Sequence, residues 1–185
     1  MLICCEGAKT EIQYFETWKR QFSRVKVSVF SPPENASAPS RLVDEIKTAM
    51  RAQRFQPGDQ AWLVLDRDRW HGKQRSNLHQ QVKSAKLLEA KNNPCFEIWL
   101  LAHFKEIGAA ISSGEIKQRL RLLLGEFNKR KLEMSKFLPF VQIAMANAER
   151  ADVKNDVGQG STRVFLLMQA IATLIAPATL IELAL

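Results

Sequence analysis

The run Ala61-Trp62-Leu63-Val64-Leu65-Asp66-Arg67-Asp68 constrains the fold more than any other stretch of the chain. Apolar residues without helical spacing end in two carboxylates separated by one residue, and the turn signal Pro57-Gly58-Asp59 introduces them. A short apolar run bounded in this way predicts a strand buried on both faces. Such strands belong to parallel sheets covered by helices on either side, and ligands bind beyond the carboxyl ends of the strands. Asp66 and Asp68 fall at that edge. If the backbone stays extended past Leu65, alternation turns both carboxylates to one spot, with Cα atoms roughly 6–7 Å apart. Carboxylates that close repel unless a proton or a cation lies between them. Oxygen ligands with open coordination positions suit Mg²⁺, or Mn²⁺. The competing reading is structural: Asp66 caps a turn, and Asp68 pairs with Arg67 or Arg69.

Around this strand the chain alternates. Leu2 to Cys5 is a short apolar run ending at Glu6-Gly7, and Thr10-Glu11-Ile12-Gln13 reads as a capping box, with Gln13 reaching back to Thr10. Ile12, Tyr14, Phe15, Trp18 and Phe22 give the following helix its buried side. Val25 to Phe30 alternates and predicts a second strand, more exposed on one face. Ser31 to Ser40 reads as a loop, and Pro39-Ser40 opens a helix lined by Leu42, Ile46, Ala49 and Met50. After the central strand come a polar loop (Trp70 to Ser76), a short helix (Asn77 to Ser84) and a fourth strand over Leu87 to Lys91. From Pro94 the period turns helical: Asn93 caps and Pro94 opens Cys95 to Phe104. Helices follow over Glu115 to Leu124, Leu138 to Glu149 and Ser161 to Ala176, with a polar loop at Ala151 to Gly160. The expectation is an α/β protein with a mostly parallel four-stranded sheet flanked by helices, and a helical C-terminal half. Residues 1–93 form the α/β core and residues 94–185 a helical part packed on it as one structural unit.

Composition narrows the partners. A net charge of +8 over 185 residues favours a polyanion, nucleic acid before an anionic membrane. The three cysteines have neither a disulfide framework nor zinc spacing and read as buried, reduced thiols in a cytoplasmic protein. The apolar start runs into Glu6 after four residues, so no signal peptide is expected. Val164 to Ile181 carries no charge, but its i, i+3, i+4 pattern and its interruptions by Gln169, Thr173 and Pro177 predict a packed helix rather than a membrane span.

Three segments together resemble the RloB-like proteins: Cys5-Glu6-Gly7-Ala8-Lys9-Thr10-Glu11, then Leu65-Asp66-Arg67-Asp68, then Asn93-Pro94-Cys95-Phe96-Glu97-Ile98-Trp99-Leu100-Leu101-Ala102-His103-Phe104. Ser161-Thr162-Arg163-Val164 extends the likeness over nearly the whole chain. That resemblance implies association with restriction-modification and phage-defence loci. An acid after the first strand together with a DxD pattern is similar to the Toprim fold of topoisomerases, primases and OLD-type nucleases. The chain departs from the pattern at Ala8, where an acid is common, at Asn92, where serine is usual, and at Arg69-Trp70, where a more acidic pair is frequent.

By that resemblance Asp66 and Asp68 bind Mg²⁺, and Glu6 either ligates metal or serves as general acid/base. Cutting a phosphodiester requires charge neutralisation and an activated water, both within reach of a carboxylate-held cation. Lys9 lies before a helix N-terminus, as a phosphate contact or a solvated lysine. Glu11 is an outer acid of the site or a first-turn charge against the helix dipole. Glu97, an acid inside an apolar helix, needs a partner: it extends the metal site or, the favoured reading, pairs structurally. His71 and His103 are candidate general bases, each weighed against an ordinary loop or core histidine. Between Arg67 and Lys86 stand six basic residues, Arg67, Arg69, Lys73, Arg75, Lys83 and Lys86, against one acid, Asp68. They form a phosphate track or a solvated face. Lys129-Arg130-Lys131 is a second, less specific basic cluster.

The sequence therefore predicts a Mg²⁺-dependent phosphodiesterase acting on DNA or RNA in a bacterial defence setting. Its rivals are a non-catalytic subunit that binds nucleic acid or a partner protein of the same locus, and a receiver-like phosphoacceptor. The second lacks its acidic character and its lysine after a fifth strand. Topoisomerase chemistry is disfavoured because the one tyrosine, Tyr14, points to the core of the first helix.

Overall fold

The computed structural model describes residues 1–19, 26–31, 39–67, 72–155 and 158–174. Its centre is a sheet of five strands: β1 (Leu2–Cys5), β2 (Ser28–Phe30), β3 (Ala61–Asp66), β4 (Leu88–Asn93) and β5 (Ser161–Thr162). The spatial order is β2-β1-β3-β4-β5, with the first four parallel and β5 antiparallel. Alternation along the two inner strands divides the core. Ile3, Cys5, Trp62 and Val64 face one apolar cluster; Leu2, Cys4, Ala61, Leu63 and Leu65 face the other. A strand buried on both faces needs apolar residues at every position, and that is why the central runs read as continuous rather than alternating.

Helices α2 (Pro39–Ala52) and α3 (Gly72–Ser84) cover the second cluster through Leu42, Val43, Ile46, Leu78 and Val82. The opposite face carries α1 (Thr10–Lys19), α4 (Glu97–Ala102), α5 (Ser113–Leu124), α6 (Val141–Asn155) and α7 (Val164–Leu174). Every residue of α4 is buried, as its all-round apolar pattern predicts. Its Trp99 joins Tyr14, Phe96, His103 and Phe137 in a mainly edge-to-face aromatic network, an arrangement that suits the ring quadrupoles; Phe104 packs on Phe137 at a tilt.

Several expectations are corrected. The sheet has five strands rather than four, because Ser161–Thr162 pairs with Asn93 and Asn92 instead of opening the last helix. Arg163 N–H donates to the Lys91 carbonyl at 2.7 Å, so α7 begins only at Val164. For the same reason Asn93 does not cap a helix: it is the last residue of β4, its peptide bond to Pro94 is cis, and α4 starts at Glu97 without a side-chain cap. Gln13 forms no capping box. Its side-chain amide bonds the Lys9 and Lys129 carbonyls and the Leu132 N–H instead, while Thr10 is the first helical residue and is buried. Helix α3 begins at Gly72, inside the expected Trp70 to Ser76 loop; its face is polar except for Leu78 and Val82, which left little periodic signal. Short 3₁₀ turns at Met134–Lys136 and Leu138–Phe140 precede α6, and α6 runs on to Asn155, over the first half of the expected Ala151 to Gly160 loop. Phe22 and the chain beyond Leu174 lie outside the described residues. Among those described, no helix is long and apolar enough to cross a membrane.

Candidate active site

Parallel pairing brings the carboxyl ends of β1 and β3 side by side, with Cys5 opposite Val64. One residue further, the Glu6 N–H donates to the Val64 carbonyl at 3.0 Å, and then the ladder stops. The Glu6 side chain takes its place, its Oε2 accepting from the Asp66 N–H at 2.9 Å. Two acids from separate segments thus meet at the edge where open α/β sheets bind ligands.

Asp66 is held from its other side as well. Register sets Asp66, Asn92 and Thr162 in one row across β3, β4 and β5. Asn92 is fully buried, and its Nδ2 donates to the Leu65 carbonyl at 3.3 Å and to Asp66 Oδ1 at 3.2 Å. Its Oδ1 accepts from the Thr162 hydroxyl at 2.7 Å, and that oxygen accepts from the Val164 N–H at 3.3 Å. A fully satisfied chain of this kind fixes the direction of its last member. The two-residue strand that sequence periodicity passed over is therefore an anchor for the central acid.

The Glu6-Gly7 turn has its own logic. Glu11, in the first turn of α1, folds its carboxylate against Gly7, where a Cβ would collide with it. Glu11 is 7% exposed. Burial pushes its carboxyl up from the usual 4.5; a backbone hydrogen bond and Lys129 oppose the rise, and Glu97 and Glu6 add to it. Glu97, 3% exposed, bears an ion pair with the Lys129 ammonium. Burial alone would raise its carboxyl, but Lys129, with help from the Cys95 thiol, holds it below the usual value. Burial and the charge of Glu97 push the Cys95 thiol up to about 12. Glu97 thus pairs structurally, the favoured expectation, and its partner comes from the basic cluster that looked least specific.

The remaining candidates are dispersed. Lys9, Arg67 and Lys73 are exposed, Lys9 in the turn before α1 and Lys73 in the first turn of α3. His103 is in the aromatic core: its Nδ1 lies 3.0 Å from the Trp99 carbonyl and its Nε2 3.2 Å from the Tyr14 hydroxyl. Because a carbonyl only accepts, Nδ1 carries the proton and Nε2 receives one from Tyr14. Burial pulls this histidine down to about 4, so it is a core residue and not a base at the sheet edge. The strand ends at Asp66, and Arg67 already turns as 3₁₀. Asp68, Arg69, His71 and the Arg75 side chain lie outside the described residues.

Sequence reading missed Asn92, Thr162 and Lys129. The first two became legible only through strand register. Lys129 had no signal beyond charge.

Among the described residues no three His, Cys, Asp or Glu side chains are grouped to hold a metal ion. Glu6 and Asp66 nonetheless provide an oxygen-only donor set of the kind that suits a hard cation. Neither the curated proteins nor the solved structures gave a match. The family model for RloB-like proteins matches residues 1–171, from β1 into α7, and includes the acid pair and the row that supports it. The chain belongs to the RloB-like protein family.

Proposed function

We propose that this protein is a Toprim-type, Mg²⁺- or Mn²⁺-dependent phosphodiesterase that cleaves nucleic acid in a bacterial defence setting. The observation that carries the reading is the hydrogen bond from the Asp66 N–H to the Glu6 carboxylate, which joins two acids at the carboxyl edge of adjacent parallel strands. Further support comes from the net charge of +8 and from membership of the RloB-like family, whose model spans both acids.

Glu6 and Asp66 would hold the cation, with Asp68 as the further ligand implied by the resemblance. Bound there, a divalent ion supplies charge neutralisation at the scissile phosphate and lowers the pKa of a water. The chain's own residues do the rest. Asn92 and Thr162 keep the Asp66 carboxylate aimed at the edge. Glu11, whose carboxyl is raised by burial, lies against the Glu6-Gly7 turn behind the acid pair. Lys129 cancels the charge of Glu97, so the cluster behind the acid pair does not repel a phosphate. Exposed Lys9, Arg67 and Lys73 provide phosphate contacts around the edge.

Labelled DNA and RNA incubated with Mg²⁺ or Mn²⁺ test the reading. Cleavage is expected, with loss to background on chelation and in both Asp66→Asn and Glu6→Gln. Absence of cleavage on every substrate, or full activity in Asp66→Asn, overturns it. Tight binding that survives both chelation and Asp66→Asn without any cleavage would instead identify a non-catalytic binding subunit.

A further inference from the structure

Asp66 borders more than the acid pair. Between the carboxyl ends of β3 and β4 and the flank of α3 lies a cleft of about 190 Å³, with Asp66 and Arg67 at one end. Leu65 and Leu78 give it apolar lining, and His79, Glu89 and Lys91 line it as well. Glu89 pairs with Lys91, its Oε2 2.8 Å from Lys91 Nζ, and lies 3.5 Å from His79 Nδ1. The volume is well below the roughly 300–1,000 Å³ of a pocket for a drug-sized ligand. It suits a single planar ring system and excludes a stacked run of bases.

Apolar lining, an exposed imidazole and flanking cations, one of them next to a carboxylate proposed to act on phosphate, match one chemical unit. That unit is a nucleobase whose own backbone phosphate lies at the acid pair. We infer that the cleft is a base pocket and that the substrate is a single-stranded nucleic acid with one nucleotide splayed out of its stack. The inference rests on the phosphodiesterase reading for the identity of the polymer. In a duplex the bases remain stacked and only the backbone reaches the edge, whereas unstacked bases can enter a pocket and lie against a ring. The His79 ring, 62% exposed, is free of the packing that would prevent stacking.

The test is fluorescence anisotropy in EDTA with a labelled short single strand, the same strand made abasic, and a blunt duplex. The base-bearing strand is expected to bind about tenfold tighter than either of the others, the contribution of one stacked base. His79→Ala should close that gap without moving the thermal midpoint, and His79→Trp should reopen it. Equal affinity for the base-bearing and abasic strands, or a gap untouched in His79→Ala, overturns the pocket. Cleavage in Mg²⁺ is scored separately. Cleavage without base-dependent binding removes the pocket alone, and base-dependent binding without cleavage removes the phosphodiesterase reading alone.

Discussion

Gln13 and Lys129 lie 116 positions apart in the chain, and the Gln13 side-chain amide donates to the Lys129 carbonyl at 2.9 Å. The oxygen of the same amide accepts from the Leu132 N–H at 2.8 Å. One glutamine in α1 therefore clamps the loop that delivers the Lys129 ammonium to Glu97. Gln13→Ala removes both of these bonds and a third, from the same amide to the Lys9 carbonyl at 2.9 Å. At roughly 1 kcal/mol net for each, urea denaturation should show a loss of about 3 kcal/mol. Acylation of Lys129, followed by peptide mass spectrometry, should accelerate as the loop loosens.

Asn92 makes a sharper prediction, because it donates to one partner and accepts from another. Asn92→Asp keeps the shape and the bond from Thr162 but turns an acceptor towards Asp66. Two facing carboxylates in a buried row repel. The variant should be destabilised by about 2–3 kcal/mol at pH 7, with much of the loss recovered as the pH falls through the carboxylate range. Denaturation at pH 7 and pH 5 measures the difference. In a cleavage assay Asn92→Ala should lose about 10–100-fold, the usual cost of removing a group that orients a ligand.

A side chain at Gly7 forces the Glu11 carboxylate to move. A Cβ at that position meets the Glu11 carboxylate, which is itself buried. Gly7→Ala is expected to cost about 1–3 kcal/mol, as overpacking does. The cost should shrink by more than half in a Glu11→Ala background. A double-mutant cycle on unfolding free energies reads this coupling directly; additive effects would contradict the packing described.

His103 sets an acid limit on stability. Its folded value of about 4 lies below the ordinary 6.5, so the unfolded chain takes up a proton that the folded protein refuses. Stability contributed by the neutral ring is complete above 6.5 and is lost as the pH falls towards 4. His103→Gln should flatten that part of the pH profile at some cost in packing. Equilibrium denaturation between pH 7 and pH 4 checks the slope.

Much of the fold was legible because it rests on short-range signals. The central run of β3 and the apolar β1 announced buried parallel strands, and the all-round apolar character of α4 announced its depth. What the sequence concealed depends on pairing between distant segments. Ser161 and Thr162 have no strand-like periodicity; they form a strand because β4 offers an edge, and the same edge removes Asn93 from any capping role. The polar surface of α3 hid its first turn for a related reason, since among its described side chains Leu78 and Val82 alone are buried. At the site, proximity of Glu6 to Asp66 followed from strand order and needed no side-chain detail. The partner of Glu97 did not, because a loop lysine held by Gln13 has no pattern in the chain.

The position of β5 also imposes an order of assembly. Asn92 cannot receive the Thr162 hydroxyl until residue 162 exists, so a nascent chain emerging from the ribosome has β1, β3 and β4 in hand long before Asp66 is anchored. For a protein proposed to cut nucleic acid this is a form of timing. The row that holds the Asp66 carboxylate is completed only once β5 has been made.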